Sequence, residues 1–346
     1  MYLICFGTRP ELIKLIPIIN IFKLNNIKYY TLFTGQHETL ISDFYNYIDD
    51  APDLIFDDIM ECNQTLNKLT YKILVKIDNI YDTYNITRVI VQGDTTSSFT
   101  IALSAFNRKI PVIHIEAGLR SFNKYSPFPE EINRKCISVI ASIHLCPTIN
   151  SVKNLQCENI IDNVYLVGNT IVDTYKYILN NYKPSNNIKY IIKDIKNYII
   201  VTLHRSENKG FNMNKIWNEL NILSSTYNFI YIFHPSIPES INKLYKKIKI
   251  IDPLDYTDMV YLINNCYGII SDSGGLTEEA VCSNKKILIC REYTEREETI
   301  NCGLGILVHN NIIDNIKFFN TKIDNIIDNP YGDNVSEKIL YILENV

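Results

Sequence analysis

The chain has 346 residues, of which 46% are hydrophobic and 21% charged, with a formal net charge of −4. That length exceeds one ordinary core and suits two domains of about 150–180 residues. The composition excludes a disordered chain. The slight acidic excess, with no basic stripe, excludes a nucleic-acid partner gripped by its phosphates.

The chain opens with a short apolar run that Gly7-Thr8-Arg9-Pro10 interrupts. This predicts a buried strand at Tyr2–Phe6 ending in a functional turn, not a secretion signal. Helix Glu11–Phe22 and strand Tyr29–Phe33 follow. Next come helix Asn67–Tyr81, strand Arg88–Val91, helix Thr95–Phe106, strand Val112–Ile115 and helix Glu130–Ala141. A second series begins near Val164. Its strands are expected at Tyr198–Leu203, Phe229–Phe233, Lys247–Ile251, Gly268–Ser271 and Lys286–Ile289, with helices at Asp255–Asn264 and Leu276–Cys282. Short β-branched runs alternating with segments of helical period predict parallel sheets wound with helices. The expected class is α/β, with two Rossmann-like domains, residues 1–165 and 166–330, facing a cleft. No apolar run reaches the roughly 18 residues of a membrane span. The nine cysteines lack any C-x-x-C pair and are odd in number, which reads as reduced core thiols in a cytosolic protein.

The polar residues of interest fall just after predicted strands, where open α/β sheets bind ligands. In Gly7-Thr8-Arg9-Pro10-Glu11, glycine permits the turn and proline suits the first helical turn. Arg9 and Lys14 then sit at the start of a helix, where anionic ligand groups are favoured. Ser273-Gly274-Gly275 opens another helix and lets backbone approach a phosphate, with Glu279 one turn on as an acceptor for a ribose diol. Neither segment is a Walker loop or a dinucleotide fingerprint, so ATP and NAD are disfavoured. Asp94 and Glu116 each end a central strand, and with Glu130 they form the densest acidic constellation. Crowded carboxylates push at least one pKa upward, which makes an acid or base usable near neutral pH. His204 and Arg205 leave the strand at 198–203 and suit phosphate binding or proton traffic. His234 repeats that placement; His37, His144 and His309 read as structural. No spacing suits zinc or a magnesium–diphosphate site, so neither metal nor cofactor is expected.

Taken together, Gly7–Glu11, Gln92-Gly-Asp-Thr-Thr96, His114-Ile-Glu-Ala-Gly-Leu-Arg120, Ser126–Arg134, Val167–Thr170, Asp272–Glu279, Thr294–Glu297 and Asn329–Asp333 resemble the UDP-N-acetylglucosamine 2-epimerases, most closely the non-hydrolysing bacterial-type branch. The resemblance implies the glycosyltransferase-B fold, with residues 331–346 forming a helix that returns to the first domain. It implies reversible C2 epimerisation of a UDP-linked 2-acetamido sugar, by elimination and re-addition of UDP. A hydrolysing relative or a UDP-sugar-dependent glycosyltransferase is the alternative. Carried over residue by residue, Asp94, Glu116 and Glu130 are the acid/base set and His204 assists departure of the diphosphate. Arg9, Ser273, Gly274, Gly275 and Glu279 hold UDP, while Lys14 and Arg296 lie near the phosphates or the sugar. A homodimer is implied too. The chain departs from the family pattern at Leu254 and Ser206. Of the branch's second substrate site, Gln36 is kept, whereas Thr39 and Asn63 replace the more usual Gln and Arg.

Overall fold

The structure of the chain, a computed structural model, describes residues 1–35, 47–48, 51–203, 211–233, 247–322 and 328–346. It divides into two units, one of Met1–Thr174 with Tyr331–Val346 and one of Tyr175–Pro330.

In the first unit, seven strands form one sheet. These are β1 (Tyr2–Phe6), β2 (Tyr29–Phe33), β3 (Leu54–Ile55), β4 (Arg88–Gln92), β5 (Val112–Ile115), β6 (Ile143–Cys146) and β7 (Val164–Leu166). Their order is β3-β2-β1-β4-β5-β6-β7, and every neighbouring pair is parallel. Strands covered on both faces read as continuous apolar runs, and Leu3, Ile4, Val89, Ile90, Val91 and Ile113 are all fully buried. Helices α1 (Arg9–Leu24), α2 (Leu66–Thr83), α3 (Thr96–Asn107), α4 (Glu130–Ile140) and α5 (Ile149–Cys157) connect them. On α2, Leu69, Ile73 and Ile77 repeat every four residues and make the buried stripe. Its first turn is capped by Thr65, whose hydroxyl accepts from the Lys68 amide at 3.2 Å. By contrast α3 packs against both α2 and α4. Its buried residues are mostly small, including Ser97, Ser98, Thr100, Ala102, Ser104 and Ala105, which lets the helices approach closely.

Strand order reverses between β1 and β4, so the turns after these two strands flank a natural ligand crevice. The next loop, after β5, is fixed by a glycine: Gly118 has φ of +86°, and a Cβ there would lie 2.3 Å from the carbonyl oxygen of Ser151. Gly118→Ala is therefore expected to cost about 2–4 kcal/mol, from left-handed strain plus displacement of α5. Urea unfolding would measure this; wild-type stability in the variant would mean the loop shifts freely.

After α6 (Ile171–Asn181) and α7 (Asn186–Ile192), the second sheet is built from β8 (Tyr198–Thr202), β9 (Asn228–Ile232), β10 (Lys249–Ile251), β11 (Gly268–Ser271), β12 (Ile287–Ile289) and β13 (Gly305–Leu307). Its order is β10-β9-β8-β11-β12-β13, again all parallel, with the reversal between β8 and β11. Helices α8 (Phe211–Leu223), α9 (Tyr256–Asn265), α10 (Gly274–Cys282) and α11 (Glu297–Asn301) lie between. Trp217 of α8 packs at a tilt against Tyr231 of β9 with ring centroids 4.6 Å apart, inside a core that includes Ile199, Val201 and Leu288.

The last helix, α12 (Val335–Asn345), packs on α1 of the first unit. Asp173 accepts from both the amide and the hydroxyl of Ser336 at 2.7 Å. The Arg88 guanidinium donates to the carbonyls of Leu343 and Val346 at 3.2 and 2.6 Å, satisfying carbonyls that a helix end leaves open.

All the strands singled out from sequence are present, with ends differing by at most two residues, and α10 begins at Gly274 rather than Leu276. The cysteines are unpaired, but Cys62 and Cys157 are exposed, so not all nine are core thiols. Among the described residues no helix is long and apolar enough to cross a membrane, and no cluster of His, Cys, Asp and Glu forms a metal site.

Candidate active site

Glu116 follows β5 directly and has φ of +68°, a left-handed conformation that a side-chain-bearing residue adopts only when its surroundings hold it there. Two groups do so. The Lys14 ammonium, one turn inside α1, donates to Glu116 Oε2 at 2.5 Å, and both side chains are under a tenth exposed. The Gln92 amide, from the end of β4, donates to the same oxygen. Lys14 thus reaches a carboxylate within its own unit.

Asp94 lies in the turn after β4, beside Gly93, whose φ is +68°. Its Oδ2 accepts from Arg134 Nε at 2.7 Å, and its backbone carbonyl accepts from the Asn133 side chain at 2.9 Å. Arg134 also donates to Glu131, a fully buried carboxylate that accepts from the amides of Ser121 and Phe122. Glu130 is the half-buried first residue of α4, where a helix N-terminus favours negative charge. Arg9, also half-buried, is the first residue of α1. The charge balance differs from the crowding of bare carboxylates that strand-end placement suggests. Asp94 has Arg134 and Glu116 has Lys14, because the helices after β1 and β5 each present a cation to the carboxyl edge of the sheet.

Sequence reasoning gave Gln92 and Arg134 no role, although both lie in the motifs quoted above. Arg120 is structural: its buried guanidinium forms a fork with Glu158 at 2.9 and 2.6 Å and donates to Ser138 and the Leu119 carbonyl.

His114 and His144 stand opposite each other on β5 and β6. Burial pushes the His114 imidazole down to about 3, with nearby arginines adding to the effect, and burial pushes His144 down to about 4. His114 Nε2 lies 2.8 Å from the Gly93 carbonyl, so a neutral ring with its proton on Nε2 braces the Asp94 turn. Unfolded imidazoles ionise near 6.5, so from there down to about pH 4 the unfolded chain binds more protons than the folded one, and stability falls with pH. The two histidines together are expected to remove about 2–4 kcal/mol between pH 8 and pH 5. Urea titrations at both values should show that loss, and His114→Gln should remove about half of it; an unchanged pH dependence in the variant would refute the assignment.

In the second unit, Ser273 is the N-cap of α10 and its side chain makes no capping hydrogen bond, so the first-turn amides at Gly274 and Gly275 are not capped by it. A Cβ at Gly274 would lie 2.5 Å from the Arg296 guanidinium, so any side chain here must displace that group. Arg296 is buried, donating from Nε to Glu278 at 2.7 Å and from Nη1 to Glu295, which also accepts from Arg291 at 2.9 Å. Glu279 is buried one turn into α10. Burial pushes the hydroxyls of Tyr256 and Tyr175 well above their ordinary range, and the negative charge of Glu279 pushes both further. His204, Arg205, Ser206, His234, His37, Gln36 and Thr39 lie outside the described residues.

The sequence model of the UDP-N-acetylglucosamine 2-epimerase family matches residues 20–344. A UDP-N-acetylglucosamine 2-epimerase of Campylobacter jejuni is 36% identical, covering 99% of this chain and 96% of its own. The crystal structure of the Neisseria meningitidis UDP-GlcNAc 2-epimerase bound to UDP-GlcNAc superposes with a TM-score of 0.91 at 34% identity, covering 100% of both chains. The Methanocaldococcus jannaschii UDP-GlcNAc 2-epimerase in complex with UDP-GlcNAc and UDP gives 0.89 at 33%, also covering 100% of both.

Proposed function

Because the chain belongs to the UDP-N-acetylglucosamine 2-epimerase family and has its two-domain, glycosyltransferase-B type α/β fold, we propose that it is an isomerase interconverting UDP-GlcNAc and UDP-ManNAc. A base removes the C2 proton as the C1–oxygen bond to UDP breaks, giving a glycal and UDP. UDP then adds back at C1 while a proton enters C2 from the opposite face. Both directions need acid/base groups at the sugar and anion donors at the diphosphate.

In this reading Asp94, Glu116 and Glu130 exchange the protons, and His204 assists the diphosphate. Arg9, Ser273, Gly274, Gly275 and Glu279 hold UDP, with Arg296 near the phosphates. The Lys14–Glu116 contact supports placing Lys14 at the sugar end. The observation that carries the assignment is Glu116 itself, a carboxylate in a left-handed turn at the carboxyl edge of the sheet, gripped by an ammonium and an amide. Such strained, fully determined residues concentrate at active sites.

The decisive experiment incubates the protein with UDP-GlcNAc in deuterated water and follows the sugar by NMR. Deuterium at C2 with UDP attached is expected. Free sugar plus UDP would turn the assignment to a hydrolysing enzyme, and no exchange with any of several UDP-HexNAc sugars would reject epimerisation. We also propose a cytoplasmic homodimer; the unpaired cysteines support a reducing compartment, and light scattering of the purified protein tests the dimer.

A further inference from the structure

The turn after β1 carries Arg9 and the turn after β4 carries Asp94, and one buried side chain touches both. Glu11 is 2% exposed. Its Oε2 accepts from the amides of Gly7 and Thr8 at 2.8 and 2.7 Å and from the Thr8 hydroxyl at 2.8 Å. Its Oε1 accepts from the hydroxyls of Thr95 and Ser98, each at 2.6 Å. A capping box accounts for the bond from the Thr8 amide, since Thr8 is the N-cap of α1 and Glu11 its N3 residue. It does not account for Oε1, which crosses to the residue after Asp94 and to the first turn of α3. The crossing spans β1 and β4, the pair at which strand order reverses.

We propose that Glu11 is a positioning residue for the epimerase reaction, an anionic strap that holds the Asp94 turn and the Arg9 turn in one frame. The inference rests on the assignment of Asp94 as an acid/base group. An ionised carboxylate is acceptor-only, and here all the surrounding groups named are donors. Oε2 meets two backbone amides that cannot turn, with the Thr8 hydroxyl beside them. Oε1 meets hydroxyls that can, and Ser98 has a second acceptor in the Gln92 carbonyl at 2.8 Å.

Glu11→Gln separates the two functions. Its carbonyl satisfies the fixed amides and keeps the cap, while its amide nitrogen faces the hydroxyls, which must turn away or become acceptors. The strap is weakened with little change in shape. We expect the C2 exchange rate at saturating UDP-GlcNAc to fall about 100-fold, the scale of a small misplacement of a reacting group. KM and the affinity for UDP should stay within about threefold, because the α10 turn is untouched. Amide hydrogen exchange should quicken about tenfold across residues 94–98, with residues 7–12 still protected. Ser98→Ala, which removes one end of the strap, should slow turnover less, and its effect should largely vanish in the Glu11→Gln background.

A Glu11→Gln protein that exchanges within about threefold of wild type, or whose residues 94–98 stay as protected as before, would overturn the proposal. So would losses in turnover and UDP binding that merely track the unfolded fraction. If Glu11→Gln does not fold, Ser98→Ala alone decides, by the same turnover and amide measurements. A wild-type protein that binds UDP yet shows no C2 exchange would reject the epimerase assignment, leaving the strap to be judged by amide protection alone.

Discussion

Asp94→Asn is expected to abolish detectable deuterium entry at C2 while leaving UDP binding in place. Asn has nearly the same shape as Asp, and its carbonyl oxygen still accepts from Arg134 Nε, now 2.7 Å from the carboxylate. The turn itself is held by other contacts. His114 is 2.8 Å from the Gly93 carbonyl and Asn133 donates to the Asp94 carbonyl. What is lost is the carboxylate proposed to exchange the proton, and acid/base groups contribute about 10²–10⁴-fold to rate. The glycine turn and Glu279, proposed to hold UDP, belong to the other unit, so the affinity for UDP should move by less than about twofold. Exchange at the wild-type rate in the variant would remove Asp94 from the acid/base set.

Lys14→Met should produce the largest change in stability. Lys14 and Glu116 side chains are 8% and 6% exposed, and the ammonium is a short contact of Glu116 Oε2. Removing one member of a buried ion pair leaves the other as an uncompensated charge, at a cost of about 3–5 kcal/mol. Methionine fills much of the space of the lysine stem, so little of the loss comes from a cavity. The double variant Lys14→Met/Glu116→Gln should recover most of the stability, because the buried charge is gone, yet show no C2 exchange. Denaturant unfolding of the four proteins in the cycle measures this. Equal stability of Lys14→Met and wild type would show that the pair is not the anchor of the Glu116 turn, and with it would go the support for Glu116 as a held, reactive carboxylate.

Much of this was readable along the chain. Alternating apolar runs located the strands, because a parallel strand covered on both faces must be apolar throughout. Gly7, Gly274 and Gly275 mark turns between a strand and a helix, and Asp94 and Glu116 stand out as carboxylates at the carboxyl ends of central strands. The short strands Leu54–Ile55, Ile143–Cys146 and Gly305–Leu307 were not singled out, since two to four residues carry too little period to separate a strand from a loop. Glu11 was read only as part of a motif, since nothing local says that a carboxylate capping its own helix also reaches Ser98, 87 residues away.

By itself, then, the sequence determined the alternation of strand and helix, the glycine turns and the family. These depend on neighbours within a few residues, where burial and backbone freedom leave a periodic trace. Only the tertiary structure decided which cation meets which carboxylate: Lys14 with Glu116, Arg134 with Asp94, Arg296 with Glu278 and Glu295. Lys14 and Glu116 stand 102 residues apart and meet because β1 and β5 both pair with β4. That order is settled by the packing of the whole sheet, which no local pattern encodes.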